Sequence, residues 1–232
     1  MTDKAPVVKP TIVFVHGAWH TADCWSLVTT QLKKYGYSSQ AIQLPSAGGD
    51  LATTVQDDAA HIRKTTSELV AAGAKGLLKK DREAELKKGG INSIVYVAAF
   101  LLPLDASLKS FLGDLAPWII FEGEKMTIIN ADRIFYNDLP ESGMDTLISS
   151  LKHQSKASFF TPLTYAAYQD VPVSYLLCEN DNAIPFQAQQ AMVGIGGPNV
   201  ASHICAAGHM PMIQMPERVV NVIREAAGEV VA

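Results

Sequence analysis

Five short strand-like runs, each closed by a turn, constrain what this chain can fold into more than any other feature. Residues 11–15 (TIVFV) are continuously β-branched or aromatic, as expected of a strand covered on both faces. Residues 91–98 (INSIVYVA) and 171–178 (VPVSYLLC) are further buried strands, and the more polar 38–44, closed by Pro45, and 201–206 read as short strands beside them. Helix-forming stretches separate them. Trp25, Val28, Leu32 and Tyr35 recur at three-to-four spacing before Gly36, and Thr54 with Asp57 forms a capping box. Val55, Ala59, Ile62, Thr66 and Leu69 then trace one helical face as far as Gly73. Residues 74–88, rich in Lys, Glu, Leu and Ala, read as further helix, and residues 216–230 as a closing amphipathic helix. Such alternation specifies an α/β fold, a mostly parallel sheet with helices on both faces.

Residues 103–167 break the rhythm with short helical patches, prolines and aromatics, and no strand alternation. The expected organisation is therefore one core, residues 1–102 and 168–232, with 103–167 inserted as a helical lid over the C-terminal edge of the sheet. At 232 residues the chain suits one such core and not two independent domains.

Charged residues make up 18% of the chain with a net charge of −4, so no basic face argues for nucleic acid. The first ten residues lack the apolar core of a signal peptide, and no apolar run reaches membrane-spanning length, which places the expected setting in the cytoplasm. Cys24, Cys178 and Cys205 are too few and scattered for a disulfide scaffold and have no metal-ligand spacing. Neither a metal nor a cofactor is called for. The expected partner is a small ester or other apolar ligand, and a homodimer stays open.

Ligand sites in open parallel sheets lie beyond the C-terminal strand ends, and three groups fall there. His16-Gly17-Ala18-Trp19 follows the first run, where a sharp turn can aim a peptide N–H at a developing oxyanion. Asp181 follows the fourth and can receive Nδ1–H of a histidine, and His209 follows the fifth, placed as a general base. The order is that of a Ser, Asp, His triad with the serine left out.

These residues resemble the α/β-hydrolase superfamily, in particular the small plant-type methylesterases and hydroxynitrile lyases and their microbial relatives. The matching stretches are Val15-His16-Gly17-Ala18-Trp19, Leu44-Pro45-Ser46, Asp181 with Ala183-Ile184-Pro185, and Gly208-His209-Met210-Pro211-Met212, so the resemblance runs over residues 11–216. It implies Asp181 as triad acid, His209 as base, and Ala18 with Trp19 as oxyanion donors. His16, Gly17, His20, Phe135, Tyr136 and Met210 would border the substrate. The implied activity is hydrolysis of small carboxylic esters, lactones or thioesters. A lyase using His209 as a proton shuttle, and a ligand-binding protein without turnover, are the alternatives.

The family's G-x-S-x-G nucleophile elbow is absent from the sequence. Ala74-Lys75-Gly76-Leu77 already reads as the back half of the helix that should follow it, so on the order of twenty residues are missing at the Gly73/Ala74 junction. Ser46 sits in a turn typical of the family, Ser93 in a strand and Cys24 in a helix, and none substitutes for the elbow serine. Loss of the elbow strand predicts either that the TIVFV and INSIVYVA strands pair directly or that both keep an unpaired edge.

Overall fold

The structure, a computed structural model, describes residues 9–70, 78–84 and 89–231. The Gly73/Ala74 junction and much of the helix expected over 74–88 lie outside the described residues.

Strand β1 (Ile12–Val15) is followed by a short 3-10 turn and helix α1 (Ser26–Lys34), then strand β2 (Ser39–Ile42) and helix α2 (Val55–Val70). Helix α3 (Lys79–Ala84) precedes β3 (Ile94–Val97). The inserted segment holds α4 (Leu108–Leu112), β4 (Ile119–Glu122), β5 (Lys125–Ile128), α5 (Ala131–Ile134), α6 (Met144–Ser150), β6 (Gln154–Ser155) and α7 (Lys156–Phe160). The chain closes with β7 (Val173–Cys178), α8 (Phe186–Gly196), β8 (Val200–Cys205), α9 (Pro211–Gln214) and α10 (Pro216–Ala226).

All five strand-like runs are strands, and they pair in parallel, but the sheet is in two pieces. β1 pairs with β2, while β3, β7 and β8 form a separate sheet in that order. β1 and β3 do not pair, and among the described residues no strand lies on their outer edges. Burial follows the break. β7, paired on both sides, is buried at all six positions. It turns Val173, Tyr175 and Leu177 to one apolar cluster and Leu176 and Cys178 to the other, as a two-sided strand must. β3 is only half-buried throughout, and Val15 at the end of β1 is 37% exposed. The expected apolar face of α2 is likewise poorly covered, with Ile62 half-buried and Ala59 exposed. Its capping box does form: Thr54 N–H and Oγ1 both donate to Asp57, which returns its own N–H to Thr54 Oγ1.

The two pieces are joined by helices. α10 buries Val219, Val220, Val222 and Ile223 against α1, β3 and β7, in one cluster with Phe14, Val28 and Leu32. On the opposite face α8 packs on β7 through Met192.

The inserted segment is not wholly helical. β4, β5 and β6 form an antiparallel sheet, with β4 and β5 joined by the two-residue loop Gly123-Glu124. Gly123 has φ +65°, the left-handed conformation such tight hairpins need and glycine adopts without penalty. With only four residues per strand and no contrast between its two faces, IIFE–GE–KMTI gives a weak strand signal in the sequence. The segment returns across the loops after β1 and β2, where Gly48 N–H donates to His153 O (2.8 Å) and Lys152 N–H to Trp19 O (2.7 Å).

Alternation along a parallel strand points Val13, Val15, Val95 and Val97 N–H toward the open edges, since Ile12 and Ile94 N–H donate to the paired side. Those four amides are expected to exchange hydrogen roughly tenfold or more faster than Phe14 and Tyr96, measured by native-state exchange. Equal protection would mean that the open edges are covered.

Candidate functional site

The acid and base stand at the ends of adjacent paired strands, so the sheet register brings them together. Asp181 lies three residues past the end of β7 and His209 four past the end of β8, and the two loops are tied by Glu179 N–H to Cys205 O and Asn180 N–H to Ala207 O (both 3.0 Å). His209 Nδ1 is 2.9 Å from Asp181 Oδ2. A carboxylate can only accept, so Nδ1 carries the proton and Nε2 keeps its lone pair. No hydrogen-bond partner reaches that Nε2 among the described residues. The Asp181 side chain is completely buried, and Ala183 N–H (2.8 Å), Ile184 N–H (2.9 Å) and Gln189 Nε2 (3.2 Å) also donate to it. Gln189, on α8, takes Cys178 N–H on its own Oε1 at 2.9 Å and so pins the root of the acid loop as well. It is a buried polar residue eight positions after the acid, and that placement is the one sequence signal that could have found it.

The inserted segment supplies one wall. Phe135 stacks on the His209 ring with centroids 5.2 Å apart. Gly208 N–H donates to the Asp138 carboxylate, and a Cβ at Gly208 would meet Asn137 Oδ1 at 2.5 Å. Any larger residue would push the Asn137 and Asp138 side chains from this approach. Asn137 Nδ2 reaches Asn180 O (3.0 Å), and Asn182 Nδ2 reaches Arg133 O (2.8 Å).

The loop after β1 forms the other wall. His16 is buried, donates from Nδ1 to Gly17 O (2.8 Å) and accepts Leu44 N–H on Nε2 (2.9 Å). Both ring nitrogens are thus committed to backbone. Because the peptide is trans, holding Gly17 C=O on one side sends Ala18 N–H to the other, where it has no partner among the described residues. Trp19 N–H is taken by Gln154 Oε1 at 3.3 Å, and Trp19 itself has φ +63°, a strained conformation for a bulky residue. Its indole packs on Trp118, Phe135 and Phe159. The structure thus brings Phe135 beside His209, sets His20 and Tyr136 against Phe135, and packs Met210 into the same cluster. Phe135 and Tyr136 are each 1% exposed and Met210 3%, so they pack within the core instead of facing an open chamber.

His20 is neutral. Its Nδ1 donates to Ala18 O (2.9 Å) and its Nε2 accepts Tyr136 O–H (3.2 Å). Burial, reinforced by the nearby His209, lowers its pKa to about 3. The alternative nucleophiles are occupied elsewhere. Ser46 Oγ donates to Asp58 at 2.5 Å and Ser93 Oγ to Ala226 O at 3.3 Å. The Cys24 thiol is pushed up to about 12 by burial. Among the described residues no hydroxyl or thiol is hydrogen-bonded to His209, and no three metal-binding side chains cluster.

The model of the alpha/beta hydrolase family matches residues 12–222. Alpha/beta hydrolase nvfD of Aspergillus novofumigatus is 29% identical over 252 aligned positions, covering 97% of this chain and 99% of that protein. Methylesterase 7 of Arabidopsis thaliana is 23% identical, covering 93% and 95%. Among solved structures, a pyrethroid hydrolase from Sphingobium faniae JZ-2 superposes with a TM-score of 0.71 at 22% identity, over 94% of this chain and 97% of that one.

The buried neutral His20 has a consequence for acid stability. Below pH 6.5 the unfolded chain binds a proton at this residue that the folded chain refuses until about pH 3. This part of the folding free energy is present above pH 6.5 and falls by about 1.4 kcal/mol per pH unit on acidification. Urea unfolding at pH 7 and pH 5 should therefore show a smaller acid loss for His20→Gln than for the parent. An equal loss would show that His20 is not held neutral.

Proposed function

This chain belongs to the alpha/beta hydrolase family, and from that premise we propose that its site is the acid–base half of a serine-type machine for hydrolysing small carboxylic esters. The carrying observation is the pair His209 Nδ1–H to Asp181 at 2.9 Å, with Nε2 unpartnered. In the complete machine a serine Oγ attacks the ester carbonyl while His209 Nε2 takes its proton. Asp181 holds the tautomer, Ala18 N–H faces the oxyanion, and His209 returns the proton to the leaving alcohol. Water then releases the acyl group with His209 as base. His16 and His20 orient the oxyanion loop through its carbonyls. The inserted segment, residues 103–167, acts as the lid, with the half-buried Trp118 giving the acyl side its apolar character. A methylesterase among the relatives supports the ester class. Three free cysteines support a reducing, cytoplasmic setting.

The serine belongs to an elbow on a strand between β1 and β3 that this chain lacks. The unpaired β1 and β3 and the half-buried state of β3 support that reading. So does the length of the alignment with the Aspergillus relative: its 252 positions exceed the 232 residues of the chain, so the alignment must open gaps here. As it stands, the chain holds small apolar esters without forming an acyl-enzyme.

A strand-and-elbow segment carrying G-x-S-x-G, inserted between Gly73 and Ala74, is expected to confer hydrolysis of p-nitrophenyl acetate. His209→Ala or loss of the inserted serine should then reduce the rate by roughly a thousandfold or more. The unaltered chain should take no fluorophosphonate label. A labelled serine in the unaltered chain, or activity indifferent to His209→Ala, would overturn the assignment.

A further inference from the structure

Two thiols lie directly beneath the acid and the base, and the proposed hydrolysis uses neither. Cys178 ends β7 and Cys205 ends β8, and the two are register partners across the parallel pair. Their Sγ atoms are 3.7 Å apart, Cys178 is fully buried, Cys205 is 6% exposed, and both are free thiols. Neighbouring strands are about 4.8 Å apart, within the Cα separation of about 4.4–6.8 Å that a disulfide accepts. Closing the sulfurs to about 2.05 Å then takes rotation about the two side chains, not movement of the strands.

We propose that Cys178 and Cys205 are a site of reversible oxidation, forming a disulfide across the strand ends that carry Asp181 and His209. The oxidant class the site fits is a small peroxide, because a bulky disulfide reagent has no approach to two buried sulfurs. The two thiols are also unequal. The hydrogen bond between them holds Cys205 below the usual thiol range and Cys178 above it, which makes Cys205 the first sulfur to react.

In the first step the Cys205 thiolate attacks one peroxide oxygen, and the O–O bond breaks. The departing hydroxide leaves as water with the Cys205 proton, and a sulfenic acid remains on Cys205. The Cys178 sulfur then attacks that sulfur, forming the S–S bond. The second hydroxide leaves as water with the Cys178 proton. Overall the two thiols lose two hydrogens and one peroxide becomes two waters. A small thiol reverses the reaction by exchange.

The bond would lock the roots of the two loops, already joined through Glu179 N–H to Cys205 O and through Asn180 Nδ2 to Ala206 O (3.1 Å). This inference rests on strand register and thiol geometry alone and stands or falls independently of the ester-hydrolase reading.

The test treats the folded, reduced full chain with a small molar excess of hydrogen peroxide and maps peptides without reduction. The expected product has lost two hydrogens, joins the peptide of Cys178 to that of Cys205, leaves Cys24 alkylatable, and returns to the starting mass with dithiothreitol. Cys24→Ser should form the same link. Cys178→Ser should instead leave a dimedone-reactive sulfenic acid on Cys205. If that variant fails to fold, the Cys24→Ser result alone decides. Oxygen addition at either sulfur without a link, a link to Cys24, or thiols unchanged while free cysteine in the same tube oxidises would each overturn the proposal.

Discussion

Backbone hydrogen bonding in a parallel sheet runs along both sides of every interior strand, and this molecule turns on the place where that pairing stops. β7 has neighbours on both sides and is buried throughout, and it carries the acid loop. β1 and β3 have one neighbour each and are correspondingly wetter. An interior backbone group left without a partner costs about 1–3 kcal/mol if it is dry, so partial exposure is the cheaper outcome, and it is what β3 adopts. Continuity is restored by α1 and α10, whose shared apolar cluster spans the break from Phe14 to Leu176. The part of the site that depends on the β7–β8 pair is therefore firmly held, while between β1 and β3 no strand is present among the described residues.

Within the firmly held part, precision comes from backbone more than from side chains. Asp181 is fixed by two peptide N–H groups and by Gln189, and His16 and His20 each spend Nδ1 on a carbonyl of the loop they stiffen. Histidines used in this way are neutral by construction, because a bonded ring nitrogen in a dry site gains nothing from a second proton. Of His16, His20 and His209, His209 alone keeps a ring nitrogen without a partner among the described residues, which separates it chemically from the other two.

Much of this was legible in the sequence, for identifiable reasons. The run TIVFV announces a strand because no polar residue interrupts its centre, VPVSYLLC does so with Ser174 as the one small polar residue in an otherwise apolar run, and the Thr54–Asp57 capping box is a local exchange of hydrogen bonds that needs no tertiary support. Asp181 and His209 were readable because strand ends are where a parallel sheet offers its sites. The β4–β5 hairpin was not readable, since its strands are short and show little contrast between faces. Gln154 and Asp138 also escaped, because each acts on a loop far away in sequence, and Gln189, only eight residues past Asp181, belongs to no motif. The face of α2 was correctly periodic yet half-exposed, because periodicity specifies which side seeks cover and not whether cover is present.

The inserted segment grips the loops of both Asp181 and His209: Asn137 and Arg133 hold the first, and Asp138 holds Gly208 in the second. As the proposed lid, a segment fastened in this way cannot lift without pulling on the pair beneath it. Admission of a ligand and alignment of His209 with Asp181 are then one mechanical event, and an occupant small enough to enter without raising the cover would meet the pair already aligned.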